Sequence, residues 1–404
     1  MAMRVLIGSA YFESHRGGIE IVAGRLAREL QRRGAEVTWF ATDSSLPPEP
    51  GSGIAATRPI KAWNVTERVL GVPLPLPGPA GIAALCRHVR STDVVLLHDS
   101  LYPTNVAAML AARWHRKPVV LTQHIASIQY RNRLLRGMMA AANALIARPM
   151  LAAADQVAFI SAAVAAQFAH VRFTAEPRLI FNGVDTDIFK VPPAGFDANA
   201  TRASLGLSGS RPLVLFVGRF VEKKGLHLIE RLARRRPDLN FVLAGWGPID
   251  PAAWQLANVD VRSDLQAETL VPLYQSSDVL LLPSVGEGLP LVLQEALACG
   301  LPVICASETA AADPGARAHI NSVDIEGVDP DTAVAALDAR IDAVVAENSG
   351  ARRAANAQAR HAYVRARYSW SEAARAYLSI ISALLEKAPA HAVGPVSRTP
   401  SERT

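Results

Sequence analysis

Two glutamates, Glu287 and Glu295, are the residues of this chain best suited to bind a ligand rich in hydroxyl groups. Glu287 lies in a Gly/Pro loop after the apolar run 278–283, and Glu295 lies in an alanine-rich segment with helical character. Above the carboxyl end of a strand in an open α/β sheet, both carboxylates can face one pocket. A helix N-terminus at that place offers free backbone N–H groups to phosphate. The pattern therefore favours a ligand that is anionic at one end and hydroxylated at the other, such as a nucleotide sugar.

An isolated pair of glutamates at this spacing also occurs by chance on surface helices, so other segments must support the interpretation. Gly218 and Arg219 end a predicted strand, and Lys223, Lys224 and Gly225 open the next helix. Basic side chains at these two places point towards one cleft, where a departing diphosphate needs positive charge. For Lys223 we favour a solvated charge. The chain thus provides both cationic and acidic groups for one ligand.

Two further features lie in the first half of the chain. Gly17 and Gly18 follow the first apolar strand and precede a helix, where glycines let the backbone approach a ligand. A simple tight turn is the alternative for this pair. His124 follows the strand 118–123, and His98 ends the preceding strand beside Asp99. A lone histidine is more often structural than functional, so this position needs a further argument.

These segments together resemble glycosyltransferase family 4, the retaining glycosyl transferases group 1 of the GT-B fold. The resemblance extends from Gly17 to Trp370 and rests on four elements in the expected order: Gly17-Gly-Ile-Glu20, Gly218-Arg219 with Lys224-Gly225, Gly245-Trp-Gly-Pro248, and Glu287 to Glu295. It implies transfer of a hexose from a UDP- or GDP-linked donor to a hydroxyl acceptor, without a covalent protein nucleophile. In such enzymes a phosphate oxygen of the leaving group assists as the base.

The resemblance also implies a role for each candidate residue. His124 and Glu287 are the predicted catalytic residues, with Glu287 on the donor sugar hydroxyls; His98 is a weaker candidate for the cleft. The predicted donor-binding residues are Gly17, Gly18, Arg219, Lys224, Gly288, Leu289, Pro290 and Glu295, with Arg219 and Lys224 on the diphosphate and Glu295 on the ribose.

Asp185 and Asp187 form a D-x-D pair of the kind that holds a divalent cation in another glycosyltransferase fold. Here they belong to the run 181–189, which is similar to the hinge element of family 4. We therefore predict no metal and no cofactor apart from the nucleotide sugar as co-substrate.

The length and the alternation of the chain predict an α/β protein with two Rossmann-like domains that face each other across a central cleft. At 404 residues, of which 50% are hydrophobic, the chain exceeds one ordinary core. We predict an N-terminal domain over residues 1–190 and a nucleotide-sugar domain over 191–367. A Trp-containing helix over 368–387 is expected to return to the first domain, and residues 388–404 have the composition of a disordered tail.

The net charge of +6 is unevenly distributed, because no acidic residue lies between Asp99 and Asp155. Arg131, Arg133 and Arg136 alternate with bulky apolar residues, which is typical of an amphipathic helix at an anionic membrane surface. A helix packed on its own domain with solvated arginines is an equal alternative. No nucleic-acid module accompanies the charge. Three cysteines without a cluster, no signal peptide and no transmembrane span favour a cytoplasmic protein that contacts the inner membrane surface.

The sequence thus predicts a retaining hexosyltransferase whose acceptor is a lipid-linked or cell-surface glycan. A sugar-nucleotide epimerase of the same fold and a non-catalytic sugar-nucleotide-binding or scaffold protein are the alternatives. One segment departs from the family pattern: after Pro302 the chain reads Ser307-Glu-Thr-Ala-Ala-Ala in place of a Gly-rich turn. This departure leaves the donor sugar open.

Overall fold

The structure is a computed structural model that describes residues 2–15, 17–64, 74–125, 133–207, 211–263 and 265–387. The side chains of residues 133–135 and 351 lie outside this description. The predictions for Arg131, for the side chain of Arg133 and for the tail 388–404 therefore concern parts of the chain that are not described.

The first domain is built on a parallel sheet of seven strands in the order β3-β2-β1-β6-β7-β8-β9. Its strands are β1 (Arg4–Gly8), β2 (Glu36–Thr42), β3 (Ala56–Ile60), β6 (Val94–His98), β7 (Val119–Gln123), β8 (Gln156–Phe159) and β9 (Arg178–Leu179). A small antiparallel pair, β4 (Ala62–Trp63) and β5 (Leu76–Pro77), lies apart from it. The central strands β6 and β7 are buried along their whole length, as expected for a parallel sheet covered on both faces.

The second domain has a parallel sheet of six strands in the order β12-β11-β10-β13-β14-β15. These strands are β10 (Leu213–Arg219), β11 (Asn240–Trp246), β12 (Val259–Arg262), β13 (Val279–Leu282), β14 (Val303–Ala306) and β15 (Ile320–Val323). Beyond its apolar part, β10 continues through Gly218 and Arg219, the two residues that the sequence places at the end of the strand. Gly218 pairs with Gly245 and Arg219 with Trp246, so pairing between glycines extends the ladder beyond its apolar part.

Helices cover both faces of the two sheets. In the first domain they are α1 (Gly18–Arg32), α2 (Pro79–Arg90), α3 (Pro103–Trp114), α4 (Arg133–Ala142), α5 (Arg148–Ala153) and α6 (Ala162–Gln167), with a π-helical turn at Asn143–Ala147. In the second they are α7 (Ala198–Ser204), α8 (Leu226–Arg235), α9 (Ala267–Ser276), α10 (Leu291–Ala298), α11 (Ser307–Ala310), α12 (Pro330–Glu347), α13 (Ala351–Arg367) and α14 (Trp370–Lys387). Short 3-10 helices occur at Glu13–His15, Glu222–Lys224, Pro251–Trp254 and Pro314–Ala318.

Helix α14 follows α13 of the second domain but packs on the first sheet. Its residues Ala374, Tyr377 and Ile381 are buried in the same cluster as β1, and the Tyr377 hydroxyl lies 2.8 Å from Thr122 Oγ1 on β7. Ser369 caps the helix by accepting a hydrogen bond from the backbone N–H of Glu372. The chain therefore crosses between the domains a second time near its end.

The predicted α/β architecture of two Rossmann-like domains is confirmed. Each sheet reverses its strand order once, between β1 and β6 in the first domain and between β10 and β13 in the second. Ligands of such sheets bind outside the carboxyl ends of the strands at this reversal. Within the described residues, none of the helices combines the length and the apolar character needed to span a bilayer.

Candidate active site

An ion pair at the strand reversal of the second sheet joins the basic and acidic candidates. Lys224 Nζ lies 3.1 Å from Glu287 Oε1, and both side chains are largely buried. Lys223 Nζ lies 3.3 Å from the same oxygen, although 61% of its side chain is exposed. Lys223 is therefore not simply the solvated charge that the sequence predicts, because its ammonium group also contacts the Glu287 carboxylate. Two cations and one anion give this point a net positive charge, which suits a diphosphate.

The ion pair depends on a close backbone contact between two loops. Gly225 has a φ of +71°, and a Cβ at this position would lie 2.1 Å from the carbonyl oxygen of Pro283. A residue without a side chain is thus required where α8 begins against the end of β13. This contact brings the 3-10 turn that carries Lys224 next to the loop that carries Glu287.

Arg219 reaches the same edge of the sheet from the end of β10. Its guanidinium carbon lies 4.9 Å from the ring centre of Trp246, which is the residue paired with it on β11. A Cβ on Gly245 would lie 1.8 Å from the carbonyl oxygen of Gly218, so the Gly-Trp-Gly-Pro turn packs its backbone directly on the end of β10. The stacking on Trp246 orients an otherwise exposed cation.

Glu295 lies on α10, in the turn after the helix start, and contacts a different partner. The Tyr274 hydroxyl donates a hydrogen bond of 2.9 Å to Glu295 Oε2. Burial raises the pKa of Glu295 to about 7, and the tyrosine hydrogen bond opposes that shift. Among the described contacts, none joins Glu295 directly to Lys224, Arg219 or Glu287. The structure thus places Glu295 beside Tyr274, a residue that the sequence analysis did not identify.

The loop between Gly286 and Pro290 closes the site towards the first domain. The backbone N–H of Gly286 donates to Glu308 Oε2 at 3.1 Å. A Cβ on Gly288 would lie 3.7 Å from Ser161 Oγ in the first domain, so this loop lies near the domain boundary. Leu289 is buried, and Pro290 caps α10. The segment that departs from the family pattern forms α11, and its Glu308 holds this loop.

On the first domain, the glycine pair begins helix α1. Gly17 is the N-cap, and a Cβ there would lie 2.1 Å from Glu20 Oε2, whereas a Cβ on Gly18 would meet no atom within 4 Å. A side chain at position 17 would therefore displace the carboxylate of Glu20, while one at position 18 would enter open space. Glu20 is buried, and desolvation raises its pKa to about 7. In the sequence, Glu20 stands out only as the last residue of the motif Gly17-Gly-Ile-Glu20.

His124 and His98 lie side by side at the carboxyl ends of β7 and β6. His98 Nδ1 and His124 Nε2 are 2.8 Å apart, and both residues are buried. Burial lowers the pKa of His124 to about 3, and burial together with the neighbouring ring lowers the pKa of His98 well below its ordinary value. Both imidazoles are thus neutral at physiological pH.

Asp99 adjoins this pair and has an unusual backbone. Its φ is +74°, which only a few per cent of residues other than glycine adopt. Its carboxylate accepts hydrogen bonds from the backbone N–H of Ile125 at 3.1 Å and of Leu101 at 3.4 Å. Burial nevertheless raises the pKa of Asp99 to about 6. No local sequence signal predicts that the residue after this strand adopts such a backbone conformation.

The D-x-D pair has other partners. Asp185 Oδ1 accepts a hydrogen bond of 3.1 Å from the backbone N–H of Asp187, and Asp185 Oδ2 lies 3.8 Å from Arg25 Nη1 on α1. Within the described residues, no group of three or more histidine, cysteine, aspartate or glutamate side chains is arranged to hold a metal ion.

Comparisons with known proteins identify the family to which the chain is similar. The family model described as Glycosyltransferase Family 4 matches residues 16–188, and the model described as Glycosyl transferases group 1 matches residues 211–341. A D-inositol 3-phosphate glycosyltransferase of Xylanimonas cellulosilytica is 29% identical over 93% of both chains. An alpha-maltose-1-phosphate synthase of Mycolicibacterium smegmatis is 28% identical over 52% of this chain and 58% of its own.

The fold is also found among solved structures. HepE of Anabaena, determined in complex with UDP, superimposes with a TM-score of 0.70 over 95% of this chain and 100% of its own, at 16% identity. This likeness shows the GT-B fold, with two Rossmann-like domains around a cleft. Matches to both family models in their expected order, together with relatives that are named glycosyltransferases, show what this chain is. It belongs to glycosyltransferase family 4, the glycosyl transferases group 1, and is an enzyme that transfers glycosyl groups.

Proposed function

We propose that the protein transfers a hexose from UDP-hexose to a hydroxyl group of its acceptor, with retention of the anomeric configuration. The observation that carries this proposal is the contact of Lys224 with Glu287 at the strand reversal of the second sheet. It puts a cation for the diphosphate and an acceptor for sugar hydroxyls within one hydrogen-bond length of each other. UDP is preferred to GDP because HepE, which shares the fold, was determined in complex with UDP.

In this proposal the leaving diphosphate is stabilised by Lys224 and Arg219. A lysine ammonium has three donors, so Lys224 can bind a phosphate oxygen while it stays near Glu287. Arg219, held over Trp246, provides the second positive charge. As the bond between the sugar and the phosphate breaks, negative charge grows on the phosphate oxygen and these cations stabilise it. The same oxygen then takes the proton of the acceptor hydroxyl, which attacks the face that the phosphate leaves.

Glu287 and Glu295 have different tasks in this scheme. Glu287 accepts hydrogen bonds from hydroxyls of the donor sugar, and Glu295 accepts from those of the ribose, with Gly288, Leu289 and Pro290 forming the loop between them. Gly18 supports contact with the donor, since its Cα faces open space at the start of α1. His124 faces the reacting sugar from the first domain. No metal or other cofactor takes part in the proposed reaction.

We propose a glycan or lipid-linked acceptor whose reacting part is neutral. The first domain presents neutral histidines, which supply no positive charge for an anionic group, and buried carboxyl groups, which would repel such a group whenever they ionise. The two relatives named above carry names that include inositol 3-phosphate and maltose 1-phosphate, which are hydroxyl-rich molecules that also carry a phosphate, so the names support a hydroxyl acceptor and not its neutrality.

We further propose that the protein is cytoplasmic and contacts the anionic inner surface of a membrane through one face of its first domain. Leu110 and Trp114 on α3 are 66% and 85% exposed, and Leu145 in the π-helical turn is 76% exposed. Helices α2, α3 and α5 pack into one core cluster, so their outer sides belong to the same face of the domain. Arg136 on α4 is exposed as well. Exposed aromatic and apolar side chains suit the headgroup region of a bilayer, and exposed arginines suit an anionic one.

Calorimetry and product analysis test the proposed reaction. We expect UDP to bind the full chain at least about tenfold more tightly than GDP, and incubation with a UDP-α-hexose and an acceptor to give an α-linked product by NMR. Tighter binding of GDP would overturn the choice of base, and a β-linked product would overturn retention. Consumption of the donor without an acceptor, giving an epimeric sugar nucleotide, would favour the epimerase alternative.

Flotation with vesicles tests the membrane surface. We expect the protein to bind vesicles that contain phosphatidylserine, and binding to fall when Trp114 and Leu110 are both replaced by serine. Replacement of Arg131, Arg133 and Arg136 by glutamine is expected to weaken binding as well. Leu46→Ser is the matched control, because Leu46 is 77% exposed but lies in the loop after β2. Unchanged flotation of both sets of variants would overturn this proposal.

A further inference from the structure

The two buried histidines of the first domain form a pair whose proton arrangement can be worked out. His98 Nδ1 and His124 Nε2 lie 2.8 Å apart, which is a hydrogen-bond distance. Two neutral imidazoles carry one proton each. The contact therefore needs one proton between the two nitrogens, and the tautomer of either ring fixes that of the other.

The far nitrogen of His98 decides between the two arrangements. His98 Nε2 is sealed from solvent and has no hydrogen-bond partner within the described part of the chain. If His124 donated to His98, this nitrogen would have to carry a buried N–H without an acceptor. Orphaned N–H groups in protein interiors are rarer than orphaned acceptors. The arrangement with the proton on His98 Nδ1 is therefore favoured.

We propose that His98 is a positioning residue: its Nδ1–H donates to His124 Nε2 and holds His124 as the neutral tautomer that carries its proton on Nδ1. His124 Nδ1 makes no hydrogen bond with the described residues, and it is not sealed from solvent. His124 thereby presents an N–H donor towards the cleft. Its role towards a substrate, which rests on the function proposed above, is to donate a hydrogen bond to an oxygen of the sugar or acceptor.

Neighbouring groups hold the pair without competing for its protons. Asn105 on α3 donates from Nδ2 to the carbonyl oxygens of His98 and Asp99 at 2.8 and 2.9 Å. The Asp99 carboxylate is the nearby charged group, and it accepts from backbone N–H groups and at 3.4 Å from Gln123 Nε2. A Cβ on Gly8 of β1 would lie 2.2 Å from the Phe40 ring and 3.0 Å from Asn105 Oδ1, so this glycine leaves room for both side chains.

This arrangement restricts the chemistry of His124. A ring nitrogen that already carries a proton cannot accept the proton of an attacking hydroxyl, so His124 does not act as the general base through Nδ1. The proton of the acceptor must go elsewhere, which agrees with a phosphate oxygen of the leaving group as the base. His98 thus determines that His124 binds and orients an oxygen and does not remove a proton.

Nitrogen-15 NMR of the full chain with labelled histidines tests the tautomer directly. The chain has ten histidines, and a His124→Asn spectrum assigns the signal of interest. We expect His124 to show a protonated Nδ1 and an unprotonated Nε2, unchanged between pH 5 and 8. In His98→Phe, which keeps a ring but removes the donor, this signature should be lost. In His98→Asn, whose Nδ2 replaces the lost donor, it should be retained.

A wild-type His124 with its proton on Nε2, or an unchanged signal in His98→Phe, would overturn the proposal. Kinetics provide the second measurement. We expect kcat to fall about tenfold in His98→Phe and about threefold or less in His98→Asn, with KM for the donor nearly constant. An equal loss in both variants would show that His98 is merely structural. If no glycosyl transfer is found but the tautomer signature appears, the pairing stands and the proposed function fails.

Discussion

The two sides of the cleft differ in how they hold their ionisable groups. In the second domain Lys223 and Lys224 each contact the carboxylate of Glu287, and Glu295 is the member of this site whose pKa burial raises. In the first domain Glu20, Asp99 and the two histidines are buried, and burial shifts the pKa of each towards its neutral form. The first arrangement suits a ligand with full charges, and the second suits one that exchanges hydrogen bonds between neutral groups.

This difference assigns each half of the proposed reaction to one domain. Charge develops on the diphosphate, and fixed cations stabilise charge that develops in a reaction. The hydroxyl group of the acceptor substrate develops less charge. Its binding therefore relies on hydrogen-bond donors and acceptors that the protein holds in place. The following predictions test whether the two sides differ as described.

The largest effect is expected from Lys224 in the second domain. Lys224→Ala should weaken UDP binding by roughly 2 to 3 kcal/mol, which is about 30- to 150-fold in Kd, because it removes a charge-assisted hydrogen bond to phosphate. Lys223→Ala is the matched control and should change Kd less than about threefold, since its side chain is 61% exposed. Titration calorimetry measures both. Equal losses in the two variants would mean that only the overall charge matters.

Alanine substitutions should affect the free energy of unfolding differently at Gly225, which precedes α8, and at Gly18, which begins α1. Gly225→Ala should lower the free energy of unfolding by about 2 kcal/mol or more, because the added Cβ would lie 2.1 Å from the Pro283 carbonyl oxygen at a φ of +71°. Gly18→Ala should change it by less than about 0.5 kcal/mol, since nothing lies within 4 Å of that Cβ. Urea denaturation of both variants makes the comparison. A large loss in Gly18→Ala would contradict the open space at the start of α1.

The buried carboxyl group of Glu20 should make stability depend on pH. Its pKa rises from an ordinary value of 4.5 to about 7 on burial, so the folded state prefers the protonated form. The stability that this group supplies is present in full below pH 4.5 and is lost as the pH rises through about 7.

Glu20→Gln should therefore be more stable than the wild type at pH 8 by about 1 to 2 kcal/mol, with the gain shrinking towards pH 5. Urea denaturation at the two pH values measures the change. Glu36→Gln serves as the control, since Glu36 is exposed on β2 and should show no such dependence. A gain that is the same at both pH values would show that ionisation of Glu20 is not its cause.

The smallest effect is expected from Glu308, which holds the Gly286 backbone at 3.1 Å. Glu308→Ala should raise KM for the donor about three- to fivefold and leave kcat within about twofold, because one hydrogen bond to the donor-binding loop is lost. Steady-state kinetics measure both constants. Glu326→Ala, at an exposed position of the same domain, should have no effect. A lower kcat at constant KM would place Glu308 in the chemistry and not in loop positioning.

Much of the fold could be predicted because its signals are local. The first apolar strand of the sequence corresponds to β1, and the apolar run 278–283 contains β13. Glycine or proline residues separate most elements. The last two residues of β10 are held by pairing with β11 and not by their own hydrophobicity. Lys224 and Glu287 were predicted to share one pocket because both positions follow parallel strands of one sheet, and the structure places them in contact.

The partners of the predicted residues could not be obtained in this way. Tyr274 precedes Glu295 by 21 residues, and His98 precedes His124 by 26. Tyr274 and Glu295 lie on different helices, and no local spacing predicts how these pack. His98 and His124 stand at the ends of neighbouring parallel strands, which predicts that they are near each other but not that their ring nitrogens lie within hydrogen-bond distance. These contacts form only when helices and strands that are distant in sequence pack side by side.

The sequence by itself determined the α/β class, the two domains and the family, because strand and helix periodicity and the glycine, lysine and glutamate motifs are properties of short segments. Only the tertiary structure decided which of those residues are ions and which are neutral. The pKa of a side chain depends on how completely water is removed and on which group lies within hydrogen-bond distance, and both are set by the packing of the whole domain.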